Sequence, residues 1–216
     1  MFKTVKLVLL NTLNFLKVPE LNLPEDAILE FERMYENLLE KGNVDYKSKY
    51  PKYLFFNYII ENKGVLVHGS NHPNIEVFEP REQTLYNGKP AKAVFAASDG
   101  IWSLFFATVE RKNYQGSLRN MCMTIPTKKG IKRYYYFSLN KEYRGNLWCN
   151  GIMYILPKEK FKQGGIKDEW ICEEEVKPLA KISVSPEDFP FLNQVKRHDE
   201  SDSIIKTLFK VLILNK

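Results

Sequence analysis

The feature that most constrains this chain is a change of hydrophobic period along its length. Its two ends repeat apolar residues at helical spacing, whereas the middle is cut into short apolar runs separated by Gly, Pro and Asn. Six of these runs have strand length and strand-favouring residues: Val65–His68, Ala93–Ala97, Tyr134–Leu139, Gly151–Leu156, Glu169–Cys172 and Leu179–Val184. Between them, Ser98 or Asp99 can cap a helix that buries Ile101, Trp102, Phe105 and Phe106. The pattern predicts an α+β fold. With 216 residues, 44% of them hydrophobic, the chain can bury one sizeable core, so a single domain with terminal additions is expected.

The clearest terminal element spans 24–41. Pro24 suits a helix start, Glu25 and Asp26 complement the helix dipole, Gly42 can end it, and Ile28, Phe31, Tyr35 and Leu38 share a face. Phe2, Val5, Leu9, Leu13 and Leu16 show a weaker helical period, which predicts a helical cap over residues 1–50. At the other end Asp202 or Ser203 can cap an amphipathic helix carrying Ile204, Leu208, Val211 and Leu212. The expected division is therefore 1–50, 51–192 and 193–216.

Several classes of protein fit the sequence poorly. Lys3 and Lys6 followed by Leu7–Leu10 resemble the start of a signal peptide, but Asn11, Thr12 and Asn14 interrupt the apolar run. No segment approaches the roughly 20 apolar residues that span a bilayer. Cys122, Cys149 and Cys172 are odd in number and widely spaced, which suits neither a disulfide framework nor a zinc site. Reduced thiols, a cytoplasmic location and no bound metal are expected. Net charge is +6, and its distribution is uneven: Arg111 to Arg144 holds nine Lys or Arg against one acid, Glu142. Tyr114, Tyr134, Tyr135, Tyr136 and Tyr143 are interleaved, so this stretch is expected to face a polyanion unless it is simply a solvated face.

Three strings carry candidate chemistry. Val65-Leu-Val-His-Gly-Ser70 is an apolar strand ending in an imidazole, a glycine and a hydroxyl, which suits a ligand. The plain structural alternative is a strand-end histidine that satisfies a neighbouring carbonyl. Ala93-Val-Phe-Ala-Ala-Ser98 is a strand that turns directly into the apolar helix. The third string, Asp168-Glu-Trp-Ile-Cys172, starts a strand with carboxylates, and alternation sets Glu169 and Ile171 opposite Trp170 and Cys172.

In this order the strings resemble the ADP-ribosyltransferase superfamily, especially its poly-ADP-ribose-polymerase-like branch. The matching positions are His68-Gly69-Ser70, Val94-Phe95-Ala96 and Glu169-Trp170-Ile171-Cys172, followed by Val176-Lys177-Pro178 and a last apolar strand. The resemblance covers roughly 53–189 and implies a split antiparallel sheet with flanking helices. It implies NAD as co-substrate, held by His68 on a ribose hydroxyl, by Gly69 and Ser70 on the nicotinamide amide, and by Phe95 and Ser98 nearby. It also implies that Glu169 binds the 2′-hydroxyl of the nicotinamide ribose and stabilises the oxocarbenium-like sugar. The family's middle tyrosine is matched directly by Val94, with Phe95 one residue on and Tyr86 and Tyr154 as other ring donors. The expected activity is transfer of ADP-ribose to a nucleic-acid, protein or small-molecule acceptor. Two alternatives share the fold: an RNA 2′-phosphotransferase-like enzyme, and a nucleotide-binding or protein-interaction module that has lost turnover.

Overall fold

The computed structural model describes residue 8 and residues 10–214. It is a mixed α+β structure with antiparallel sheets, arranged as two compact units. The smaller takes in the described residues up to Glu20, then Arg111–Leu147 and the described residues from Phe191 onward; the larger comprises Leu21–Glu110 and Trp148–Pro190. One unit boundary thus lies close to 192. The other expected boundary, at 50, falls inside the larger unit, and the excursion over 111–147 divides what reads in sequence as one block. Among the described residues no helix is long and apolar enough to cross a membrane.

The strands in chain order are β1 (Leu16–Val18), β2 (Val65–Ser70), β3 (Arg81–Thr84), β4 (Pro90–Ala97), β5 (Leu118–Thr127), β6 (Gly130–Asn140), β7 (Gly151–Pro157), β8 (Lys162–Gln163), β9 (Glu169–Cys172), β10 (Ala180–Val184) and β11 (Lys196–His198). The helices are α1 (Glu25–Lys41), α2 (Lys52–Asn62), α3 (Gly100–Thr108) and α4 (Ile204–Leu212). The six strands expected from the sequence all form.

In the larger unit the sheet runs β10-β7-β2-β4-β9-β8, with β3 also on β4, and every pairing is antiparallel. One face carries Leu66, Val94, Tyr154, Leu156 and Cys172, which form a core with Phe78 and Val176. The opposite face receives α3 at very short range. A Cβ on Gly69 would run into the Ser103 carbonyl, and one on Gly151 into the Ala107 carbonyl. Two glycines on adjacent strands therefore let the helix backbone sit directly on the sheet. Asp99 caps that helix by accepting from the Trp102 N–H at 2.8 Å, and the fully buried Asn57 of α2 accepts from the Gly100 N–H at 2.9 Å.

Helix α1 ends at Gly42 with φ 70°, as a left-handed cap requires. Its buried face is Ala27, Phe31, Tyr35 and Leu38, while Ile28 is exposed, so the inward stripe lies one residue earlier than expected at its start. Helix α2 has no sequence signature, because Phe55, Phe56, Tyr58, Ile59 and Ile60 are all buried and the helix is apolar on most sides.

In the smaller unit β6 is flanked along its length by β5 and, on its other edge, by β1 antiparallel and β11 parallel. Leu16 begins strand β1 and does not continue a helix; Phe2, Val5 and Leu9 of the expected period lie outside the described residues. Tyr134 and Tyr136 belong to a core with Leu10, Phe15, Ile125 and Leu212. Tyr135 is fully buried as well, so three of the five tyrosines in the basic stretch are core. Ser203 caps α4 through the Lys206 N–H, but Ile204 is exposed and does not join the buried face. His198 is buried, with Nδ1 2.8 Å from Ser138 Oγ and Nε2 3.0 Å from Ser117 Oγ.

Two outcomes follow for stability. Gly69→Ala and Gly151→Ala each force a methyl group into helix backbone that cannot yield, so each lowers stability by about 2 kcal/mol or more in denaturant unfolding. Burial, reinforced by Arg119, holds the His198 imidazole below its ordinary value. A group with a depressed folded pKa of this kind gains protons on unfolding, so its contribution is lost as pH falls through the unfolded value of about 6.5. Melting temperature is expected to fall between pH 7 and pH 5, and His198→Asn is expected to flatten that part of the profile.

Candidate active site in the larger unit

The register fixes where the strand ends meet. Val67 pairs with Ala97, and Ala97 pairs with Glu169, so β2, β4 and β9 place these three residues in one row. Two strand spacings separate Val67 from Glu169, about 10 Å. His68 and Glu169, 101 positions apart in sequence, are thereby neighbours across a single strand.

They do not share a face. Side chains in one row of an antiparallel sheet point the same way, so Glu169 lies with Val67, Ala97 and Phe95 on the α3 side. His68 lies with Leu66 and Tyr154 on the other side, where its ring meets Phe78 edge-on at 4.9 Å. Its Nδ1 stands 2.7 Å from the carbonyl oxygen of Phe95. A carbonyl can only accept, so Nδ1 carries the proton, and in the neutral form of the ring Nε2 is the acceptor. This is the contact of a structural strand-end histidine, and it occurs where the sheet opens. Beyond Val67–Ala97 no further β2–β4 pair follows among the described residues, and the His68 ring bridges the gap instead.

Glu169 is 7% exposed and its carboxylate is held by backbone. One oxygen accepts from the Tyr86 N–H at 3.0 Å and the other from the Gly165 N–H at 2.6 Å. Gly164 lies against the same carboxylate, where a Cβ would crowd it. The Tyr86 contact shows that the β3–β4 turn returns to the sheet. Thr84 pairs with Pro90 at the far end of β4, seven residues from Ala97, yet the turn between them reaches Glu169. The Tyr86 ring, 40% exposed, packs edge-on against Trp102 of α3 at 6.2 Å.

The remaining expected site residues divide by their surroundings. Phe95 is half-buried and shares the Glu169 face, whereas Val94 points the other way into the core. Among the candidate rings, Phe95 and Tyr86 are therefore the two brought to Glu169. Tyr154 is fully buried, and its hydroxyl donates to the His72 carbonyl and accepts from the Ile75 N–H, so it shapes a loop. Gly69 is required by the helix that covers it. Ser70 is buried and accepts from the His72 N–H at 3.1 Å. Ser98 donates to Asp168 at 3.2 Å, next to Glu169 in sequence.

Sequence reasoning missed the two amide donors to Glu169, since a backbone N–H has no residue signature. The available signal was the pair Gly164-Gly165 shortly before Glu169, which permits close approach of backbone to carboxylate. Comparison of the chain with protein-family models, with curated proteins and with solved structures gives no match.

Glu169→Gln keeps one acceptor oxygen and turns the other into a donor facing an N–H. Amide exchange at Tyr86 or Gly165 is expected to accelerate, by an amount equivalent to about 1–3 kcal/mol, in a residue-resolved hydrogen-exchange measurement.

Proposed function

We propose that the larger unit is an ADP-ribosyltransferase-like domain that takes NAD where its sheet splits between β2 and β4. The observation that carries this reading is the row Val67–Ala97–Glu169, which ends in a carboxylate beside the point where β2–β4 pairing stops. His68, in the tautomer that the Phe95 carbonyl selects, offers Nε2 to a ribose hydroxyl. Past its pair with β4, β2 presents the Gly69 backbone to the nicotinamide amide, with Ser70, Phe95 and Ser98 around it.

In this mechanism the bond from C1′ of the ribose to nicotinamide breaks, and the electron pair leaves with nicotinamide. The sugar becomes oxocarbenium-like. The two backbone N–H groups fix Glu169 in place, and a carboxylate has about four acceptor sites, which leaves capacity for the 2′-hydroxyl of that ribose. A fixed negative charge beside the developing positive charge is the catalytic contribution. An acceptor nucleophile then bonds to C1′ and gives up its proton. The +8 stretch of Arg111–Arg144 favours a polyanionic acceptor. A cytoplasmic setting belongs to the same reading; among the described residues Cys122, Cys149 and Cys172 form no disulfide.

A second reading is favoured by a specific observation: both Glu169 oxygens are engaged by loops, and His68 lies on the opposite face. On that reading the domain binds a nucleotide without turning it over.

Calorimetry with NAD, run beside an assay of nicotinamide release, separates the two. The transferase reading expects binding and release, with release falling about 100-fold or more in Glu169→Gln at a temperature where that variant stays folded and still binds NAD. Binding without release transfers the case to the second reading, and the absence of NAD binding removes both.

A further inference from the structure

The nine cations of 111–144 do not form one patch. Arg133 is 1% exposed and bonds to the Ile131 carbonyl. Arg119 is tied to the Thr207 hydroxyl. Lys128 and Lys129 are exposed at the β5–β6 turn, whereas Lys141 and Arg144 follow the opposite end of β6. The ten steps from Gly130 to Asn140 put these ends about 33 Å apart.

At the Asn140 end lies a groove of about 730 Å³ lined by Lys141, Glu142, Tyr143, Arg144, Leu147 and Arg197, with Gly145 in its wall. Lys141 is compensated, standing 2.6 Å from Asp199 and 3.8 Å from Glu142. The two guanidinium groups are not. Arg197 is anchored by donating to the carbonyls of Asn140 at 2.6 Å and Tyr143 at 2.7 Å, both through Nη2, and makes no ion pair among the described residues. Arg144 is exposed and has no hydrogen-bond or ion-pair partner among the described residues. The half-buried ring of Tyr143 lies beside them, set edge-on to Tyr114 at 5.0 Å and over the backbone of Gly145, which has no room for a Cβ.

The charge around this groove is stronger than the chain's net +6 suggests. The segments 1–20, 111–147 and 191–216 hold seventeen Lys or Arg against five Asp or Glu, a net +12, whereas the rest of the chain holds fifteen against twenty-one, a net −6. We infer that the groove formed by Tyr143, Arg144 and Arg197 binds single-stranded nucleic acid, with Arg144 and Arg197 on a backbone phosphate and Tyr143 against a base or sugar. Planar guanidinium groups match phosphate oxygens, and an aromatic neighbour serves any base. A peptide carboxylate would use the same cations but has no need of the tyrosine or of the unit-wide positive field. This inference deepens the polyanionic-acceptor part of the proposed function and is independent of the NAD site, since its test contains no NAD.

The test is fluorescence anisotropy of a labelled 12-nucleotide RNA against the full chain over a series of salt concentrations. Arg144→Ala is suitable because Arg144 holds nothing else in place. The inference expects binding that weakens with salt, at least fivefold weaker in Arg144→Ala, with the log–log salt slope reduced by about 0.7 for one lost phosphate contact on a single strand. It also expects the double variant Lys128→Ala, Lys129→Ala to lose less. No binding at low salt overturns it. So does a greater loss in the double variant, or competition by pyrophosphate or polyglutamate as effective as that by unlabelled strand, which would assign the groove to a free phosphate or an acidic peptide.

Discussion

The larger unit depends on how closely α3 approaches its sheet. Gly69 and Gly151 remove two side chains from adjacent strands, and the helix backbone occupies the space they leave. Because Asp99 caps α3 directly after β4 ends, that contact also fixes the last residues of β4 against β2. The single pair Val67–Ala97 then becomes the hinge of the sheet, and β9 inherits its register from Ala97. One steric allowance thus sets where a histidine, two aromatic rings and a carboxylate come to lie.

Glu169 shows how a buried carboxylate is accommodated without a cationic partner among the described residues. Two backbone N–H groups from separate loops replace the water it loses, and the turn of the β3–β4 hairpin is drawn back to the sheet in doing so. The same bonds serve either proposed role. They orient a catalytic carboxylate, and they equally organise the loops of a binding module. Chemistry with NAD is what separates these roles, because both require the same resting geometry.

Segregated charge gives the smaller unit a different character. Its basic stretch reads as one polyanion-binding surface, but burial of both faces of β6 divides it. Tyr134, Tyr135, Tyr136 and Arg133 are drawn into the interior of a sheet, while Tyr114, Tyr143, Arg144 and Arg197 remain near the surface at one end of it. Arg197 comes from β11, more than fifty positions beyond Tyr143, and parallel pairing with β6 brings it to the groove. No local window of sequence contains that juxtaposition.

The sequence alone determined the elements whose information is local. Short apolar runs bounded by Gly, Pro and Asn marked six strands, the pairs Ser98-Asp99 and Asp202-Ser203 each held the residue that caps a helix, and Gly42 marked a left-handed end. It did not mark α2, apolar on most sides, nor the ten-residue β5, whose apolar residues are interrupted by Arg119, Asn120 and Pro126, nor the short strands β1, β3, β8 and β11, which are too brief to show a period. Only the tertiary structure decided the face of each strand-end residue. His68 and Glu169 are adjacent in the sheet because of register across β4, and they point apart because a one-residue offset in a strand reverses the side chain. Offsets of that kind are set by pairing between distant segments, so their cause lies outside every short motif.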